Sequence, residues 1–182
     1  MIYLIKEKIN NIIDWLNKWV YNILEHKTET ERIVFEDPDP INGFILLPDM
    51  KWDEKNAENL YLLAIIHQKN ILSLRDLNKD HIELLENIRD KSLAAIEKKY
   101  NVKQSKLRCY LHYHPTFYHL HVHFSHINYH PPGMPEKNYQ LSKVIENLKI
   151  DTEYFKKVQM EIVLKKNDKL YEIFRERLEK QA

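Results

Sequence analysis

Glycine and cysteine are scarce in this 182-residue chain, which has two glycines and one cysteine. Gly43 and Gly133 cannot supply a glycine-rich phosphate loop or a dinucleotide fingerprint, so P-loop and Rossmann chemistry are excluded. Cys109 has no second cysteine with which to form an intrachain disulfide. Its apolar, strand-like surroundings predict a core position and fit a reducing compartment.

A large net charge and a long uninterrupted hydrophobic run are also lacking. The 28 basic residues nearly balance the 27 acidic residues, so no global field would attract DNA, long RNA or an anionic membrane. The apolar N-terminal stretch has no signal-cleavage pattern and is interrupted by charged side chains. These side chains are Lys6, Glu7, Lys8, Asp14 and Lys18. We therefore expect a soluble intracellular protein without a DNA or membrane partner.

Hydrophobic spacing predicts a single α+β domain over residues 1–182. Apolar residues recur every three or four positions from Ile5 to Ile23, which predicts a long N-terminal helix over residues 3–28. Residues 1–30 form this leading part and residues 31–182 form the core. Further helices are predicted over residues 53–68, 77–100, 139–148 and 168–180. Strands are predicted over residues 32–36, 44–47, 107–114, 118–128 and 158–164, joined by antiparallel hairpins.

The most informative feature of the sequence is a run of alternating histidines. His119, His121 and His123 alternate with apolar residues, and seven of the ten histidines lie between positions 112 and 130. On a strand, side chains alternate faces with a period of two, so the three imidazoles share one face and the apolar residues share the other. We expect the apolar face to pack on the core and the histidine face to meet something polar.

Phosphate chemistry and metal binding are the two functional interpretations of this strand. A neutral imidazole can attack phosphorus and form a covalent intermediate that water hydrolyses, while its neighbours orient it or bind phosphate oxygens. Histidine is also a common metal ligand, but His119 and His123 would be roughly 13 Å apart along a strand, too far to share one ion. A two-histidine site would need carboxylates, and residues 112–130 contain none. A purely structural role is the third alternative.

The strand and several other segments resemble known proteins. The sequence His119-Leu-His-Val-His-Phe-Ser fits the pattern of the histidine-triad superfamily. The longer run that begins at Tyr110 closely resembles the active-site strands of the scavenger mRNA-decapping family. Two further segments also resemble that family: Trp19-Val-Tyr-Asn and Pro48-Asp-Met-Lys-Trp. They make the resemblance specific to the decapping family, and the resemblance covers nearly the whole chain.

The resemblance implies an α+β fold with a histidine-triad antiparallel sheet and a metal-free hydrolase that needs no cofactor. Its substrate would be a 7-methylguanosine cap dinucleotide or a short capped RNA, cut in the triphosphate bridge to release 7-methylguanosine monophosphate. His121 would attack the phosphorus nearest the methylated nucleoside, His119 and His123 would position it and contact phosphate, and His112 matches a further active-site histidine. Thr116 matches a small hydroxyl residue at the phosphate.

The cap pocket is also implied by the resemblance. Trp19 matches the residue that stacks on the methylated base, and an indole face attracts a cationic ring. Glu29 matches the carboxylate that accepts hydrogen bonds from the guanine edge. A loop would wrap the base, ribose and phosphate, and its residues are Pro48, Asp49, Met50 and Lys51.

The family also implies a homodimer and a cytoplasmic and nuclear location. We expect the swapped N-terminal domain of the family, which closes over the cap, to be missing from this chain. Asn138 stands near the position of a phosphate-contacting arginine, for which Lys137 could substitute.

Three rival functions stay open. A general dinucleoside polyphosphate or nucleotide phosphoramidate hydrolase with the same triad would show little preference for the methyl group. A non-catalytic cap-binding fragment or dimerisation scaffold would bind without turnover. A metal-dependent hydrolase would lose activity in chelator.

Overall fold

A computed structural model of the chain describes residues 18–129 and 138–164. In the C-terminal segment it also describes residues 166, 171, 172, 175 and 179.

The described part of the chain forms a six-stranded sheet in which every pair of neighbouring strands is antiparallel. The strands are β1 (Phe35–Asp37), β2 (Phe44–Pro48), β3 (Tyr61–Ile66), β4 (Leu107–His112), β5 (His121–His126) and β6 (Asn138–Gln140). Their spatial order is β1-β2-β3-β5-β4-β6. The histidine strand β5 therefore lies in the interior of the sheet, between β3 and β4.

The helices cover both faces of this sheet. Residues 18–24 belong to helix α1, and α2 (Ile82–Tyr100), α3 (Leu141–Ile150) and α4 (Tyr154–Lys157) follow. The apolar residues of α2 and α3 join the larger core cluster with alternate residues of the strands, such as Leu62, Val122 and Phe124. The intervening strand residues, including Leu63 and Ile65, face α1 in a second cluster. The predicted class, an α+β fold with an antiparallel sheet flanked by helices, is confirmed.

The turn between β1 and β2 shows how local sequence fixes a hairpin. Asp39 Oδ1 accepts hydrogen bonds from the backbone amides of Ile41 and Asn42 at 2.8 and 2.7 Å. A Cβ on Gly43 would lie 2.1 Å from the carbonyl oxygen of Asp39, so only glycine fits there. The segments Asp37-Pro-Asp-Pro and Asn42-Gly43 are turn signals in the sequence, and they correspond here to a close backbone approach.

Two predicted elements are wrong. The segment 53–68 is not a helix, because it contains a short 3₁₀ turn (Ala57–Asn59) followed by β3. All six residues of β3 are buried, so its apolar run lacks the alternation that distinguishes a strand from a buried helix. Residues 158–164 form no strand and run as irregular chain.

Other predicted elements differ in their ends. Helix α1 ends at residue 24 rather than 28, and its predicted first fifteen residues lie outside the described residues. The first strand is β1 and follows a 3₁₀ turn (Thr30–Arg32), although the sequence predicted a strand over residues 32–36. Most of the predicted closing helix is likewise not described, and its described residues 171, 172, 175 and 179 are helical. In the parts of the chain that the structure describes, no helix has the length and apolarity to cross a membrane.

Candidate active site

The register of β5 places the histidines on one face of the sheet. His121 pairs with Ile65 and His123 pairs with Leu63 across the β3–β5 ladder, and paired residues share a face. His119 lies two residues before the strand begins. The apolar residues between the histidines pack in the larger core on the opposite face, as the alternation predicts.

His121 has a defined tautomer. Its Nδ1 lies 2.7 Å from the backbone carbonyl oxygen of His119. A carbonyl oxygen can only accept, so Nδ1 carries the proton and donates it. In the neutral ring the lone pair is therefore on Nε2. The structure thus gives His121 a nucleophilic nitrogen of fixed identity.

His119 supports His121 through its backbone rather than its ring. Its own Nε2–H donates to the carbonyl oxygen of Ile66 at 2.7 Å, and its ring meets Tyr21 edge-on with centroids 5.8 Å apart. The His119 imidazole is therefore held against β3 and α1. The sequence predicted that His119 positions His121, and the observed contact is made by its carbonyl group.

His123 lies in a cluster of rings. Its Nδ1 forms a 2.8 Å hydrogen bond with the Tyr61 hydroxyl, and its ring stacks on Tyr110 with centroids 5.2 Å apart. His112, at the end of β4, lies 4.1 Å from His123 between ring centroids. His121 lies 4.9 Å from His123 by the same measure. The structure therefore brings His112 to the triad, as the resemblance implied.

The histidine face is covered, which the sequence did not predict. His119, His121 and His123 expose 0, 4 and 4% of their surface. Burial penalises the charged imidazole and is the main cause that lowers the pKa of each. Burial lowers the pKa of His121 to about 3. The hydrogen bond to the carbonyl of His119 opposes this fall, and weaker repulsion from His112, His119 and Lys51 adds to it. At neutral pH these rings are uncharged.

Trp19 and Glu29 form a direct pair. The indole Nε1–H of Trp19 donates to Glu29 Oε1 at 2.6 Å, and Arg32 Nη1 donates to Glu29 Oε2 at 2.6 Å. Arg32 also donates through Nε to Glu54 Oε1 at 3.0 Å. The two residues that the resemblance assigns to base recognition are therefore adjacent, and Arg32 fixes the carboxylate of Glu29.

The predicted phosphate loop begins at the end of β2. Pro48 is the last residue of β2 and pairs with Leu62, and the Asp49 amide donates to the carbonyl oxygen of Tyr61 at 2.9 Å. Asp49 Oδ1 accepts from the Lys51 amide at 2.8 Å, which shapes the turn.

The two remaining side chains of this loop differ in their surroundings. Lys51 Nζ lies 5.7 Å from the ring centroid of Tyr61, the residue bonded to His123. Met50, by contrast, is 72% exposed. The loop thus brings Lys51 toward the histidines, whereas Met50 points to solvent.

The β4–β5 connection contains Thr116 and Phe117. Thr116 is exposed. Phe117 stacks on His121 with ring centroids 3.9 Å apart and an interplanar angle of 18°. Its other neighbour is Trp19, whose ring centroid lies 5.7 Å away in an edge-on contact. Phe117 therefore lies between Trp19 and His121.

Sequence reasoning missed four residues of this site: Tyr61, Tyr110, Phe117 and Arg32. The period of two along a strand could have predicted Tyr110, because it lies two residues before His112 and therefore on the same strand face. Tyr61 was not, because its segment was predicted as a helix. Phe117 lies in a loop and Arg32 in a short 3₁₀ turn, and neither segment carries a periodic signal.

The metal alternative finds no support among the residues that the structure describes. No group of three or more histidine, cysteine, aspartate or glutamate side chains in those residues is arranged so that it could hold an ion.

His130 and Lys137 lie outside the described residues, whereas Asn138 is exposed at the start of β6.

Comparison with known proteins gives consistent matches. The family model "Scavenger mRNA decapping enzyme C-term binding" matches residues 18–139. The m7GpppX diphosphatase of Caenorhabditis elegans is 51% identical over 161 residues, which are 88% of this chain and 52% of that protein. The human m7GpppX diphosphatase is 45% identical over 160 residues, which are 87% of this chain and 48% of that protein. The chain thus spans about half the length of the curated relatives it matches.

A solved structure, Hnt3 in complex with DNA and guanosine, aligns with a TM-score of 0.46 and 14% identity. The alignment covers 90% of this chain and 97% of that chain. With its family model spanning two thirds of the sequence, the chain belongs to the scavenger mRNA decapping enzyme family.

Proposed function

We propose that this chain hydrolyses the triphosphate bridge of a 7-methylguanosine cap dinucleotide or a short capped RNA and releases 7-methylguanosine monophosphate. Its relatives named m7GpppX diphosphatase support this substrate class. The observation that carries the proposal is the state of His121. Its ring is buried and neutral, its Nδ1–H donates to the carbonyl oxygen of His119, and its lone pair is on Nε2.

The proposed reaction has two steps. The Nε2 lone pair of His121 attacks the phosphorus next to the methylated nucleoside, and the bond from that phosphorus to the bridging oxygen breaks. The diphosphate end of the second nucleotide leaves with the electron pair. Water then attacks the phosphorus of the covalent intermediate: its hydroxyl group goes to the phosphate, the electron pair of the N–P bond returns to Nε2, and its proton passes to the diphosphate product or to solvent. The imidazole is thereby regenerated.

The surrounding groups suit the charge that develops. As His121 forms its bond to phosphorus the ring becomes cationic, and the carbonyl of His119 at Nδ1 stabilises that charge. Lys51, near Tyr61 and His123, supplies a cation for the phosphate oxygens. His123 and His112 lie beside the nucleophile, and a neutral imidazole carries one N–H that can donate to a phosphate oxygen.

The base pocket suits a methylated guanine. Methylation at N7 makes the base cationic, and the indole face of Trp19 attracts a cation. Glu29 Oε1 accepts a hydrogen bond from Trp19 and Oε2 accepts one from Arg32. A carboxylate has about four acceptor sites, so Glu29 retains capacity for the guanine edge. Pro48, Asp49, Met50 and Thr116 would line the ribose and phosphate path, as the family resemblance implies.

The decisive experiment incubates the chain in chelator with a labelled 7-methylguanosine cap dinucleotide, beside the unmethylated dinucleotide. We expect release of 7-methylguanosine monophosphate and preference for the methylated substrate. His121→Asn should abolish turnover and retain cap binding, because only the nucleophilic nitrogen is lost. Activity in that variant would contradict the mechanism. Binding without turnover by the wild type would make the chain a cap-binding fragment, and equal cleavage of both substrates would favour a general triad hydrolase.

We further propose a homodimer and a cytoplasmic and nuclear location, both from the family resemblance alone. Light scattering of the purified chain tests the first, and imaging of a tagged chain tests the second.

A further inference from the structure

Phe117 contacts the imidazole of His121 more closely than any other ring contact described around the triad. The two rings are nearly parallel, with centroids 3.9 Å apart and an interplanar angle of 18°. Trp19 meets Phe117 from another side, edge-on at 5.7 Å. Phe117 is half-buried and packs against the α1-facing core cluster that contains Leu63 and Ile65. The phenyl ring is therefore held in place while it covers one face of the imidazole.

A stacked ring constrains an imidazole differently from a hydrogen bond. The bond from Nδ1 to the carbonyl oxygen of His119 fixes one atom of His121 but allows the ring to tilt about that contact. A flat phenyl face against the imidazole restricts this tilt. It leaves the edge of the ring uncovered, and the Nε2 lone pair lies in the ring plane. The two contacts together define the direction in which Nε2 can attack.

The same ring excludes water from the nucleophile. His121 is 4% exposed, and burial is the largest cause that lowers its pKa to about 3. The titratable groups that face it are His119, His112, His123 and Lys51, and the charged form of each would also disfavour a proton on His121. Uncovering the ring would therefore raise its pKa toward the ordinary value of about 6.5.

We propose that Phe117 is a positioning residue that fixes the ring plane of His121 for attack on phosphorus. The proposal rests on the proposed function, in which His121 is the nucleophile. Because Phe117 touches the imidazole and not the reacting phosphorus, it acts through His121. A misplacement of about 1 Å at a reacting group can cost on the order of a hundredfold in rate, so loss of this contact should be visible in kcat.

Phe117→Leu tests the proposal, because leucine is apolar and bulky but has no flat face. We expect kcat on the methylated cap dinucleotide to fall about tenfold or more, with KM changed less than about threefold. Phe117→Tyr keeps the flat ring and should stay within about threefold of the wild type. Phe35→Leu is the matched control, because Phe35 in β1 is also half-buried but packs on Phe44 of β2, away from the histidines. Phe35→Leu should change neither kcat nor KM.

A readout independent of activity is the titration of the His121 ring by nitrogen-15 NMR. In Phe117→Leu the pKa of His121 should rise toward about 6.5, and the acid limb of the kcat/KM profile should move to higher pH with it. Phe117→Tyr and Phe35→Leu should leave both unchanged. This titration tests the contact between the two rings even if the wild type cleaves no cap dinucleotide, a result that would refute the proposed function alone.

Three results would overturn the proposal. An unchanged kcat and an unchanged His121 titration in Phe117→Leu would show that the stack has no effect on the nucleophile. A raised KM with unchanged kcat would make Phe117 a part of the base pocket. A loss of kcat in Phe35→Leu equal to that in Phe117→Leu would show a general effect of destabilising the core.

Discussion

Acidification should destabilise this fold through its buried histidines, and His121 gives the clearest case. Its folded-state pKa is about 3, because burial disfavours the charged ring, whereas an unfolded histidine titrates near 6.5. Between those two values the unfolded chain binds a proton at this site and the folded chain does not. Stability therefore falls as the pH drops below about 6.5. Above that pH His121 contributes almost nothing to the pH dependence of the free energy of unfolding.

The magnitude follows from linkage. From pH 7 to pH 5, the proton taken up by His121 in the unfolded state alone lowers the free energy of unfolding by about 2 kcal/mol. The figure is the same for any folded-state pKa well below 5. It is a large fraction of the roughly 5–15 kcal/mol that stabilises a domain. His119 and His123, whose pKa values burial also lowers, should add to the loss.

Urea unfolding at pH 7 and pH 5 measures this effect. The wild type should lose about 2 kcal/mol more than His121→Asn over this interval, because asparagine takes up no proton. Val122→Ala is the control, since Val122 is fully buried on the opposite face of β5 and its truncation should cost about 2 kcal/mol at both pH values. An equal pH loss in the wild type and His121→Asn would refute the argument that burial keeps His121 neutral.

Two further substitutions test the contacts around the site. Arg32→Gln removes the charged donor to Glu29, so we expect KM for the methylated cap dinucleotide to rise about tenfold while kcat changes little, because the carboxylate loses its orientation toward the base. An equal rise with the unmethylated dinucleotide would argue against a role in recognising the methylated base. Tyr61→Phe deletes the buried hydroxyl bonded to His123 and should lower the free energy of unfolding by about 1–2 kcal/mol in urea titrations. A loss below about 0.3 kcal/mol would mean that another group replaces this bond.

The sequence alone predicted the features that depend on local chemistry and periodicity. The alternation around His121 predicted which residues share a face, because a strand has a period of two whatever surrounds it. The turn residues near Gly43 predicted the β1–β2 hairpin for the same local reason. The prediction of a helix for the segment that contains β3 was wrong, because a strand buried on both faces shows no alternation and its apolar run resembles a buried helix.

What only the tertiary structure decided is the tautomer, orientation and charge of His121. The carbonyl of His119 is two residues away in sequence, yet it reaches Nδ1 of His121 only because the chain enters β5 in this geometry. Tyr61 is 62 residues from His123, and no local pattern predicts their hydrogen bond. The lowered pKa of His121 depends on burial beneath neighbouring rings, Phe117 among them, and burial is a property of the packed molecule. The sequence determined which side chains are present on one face, and the fold determined that they are neutral, oriented and shielded from water.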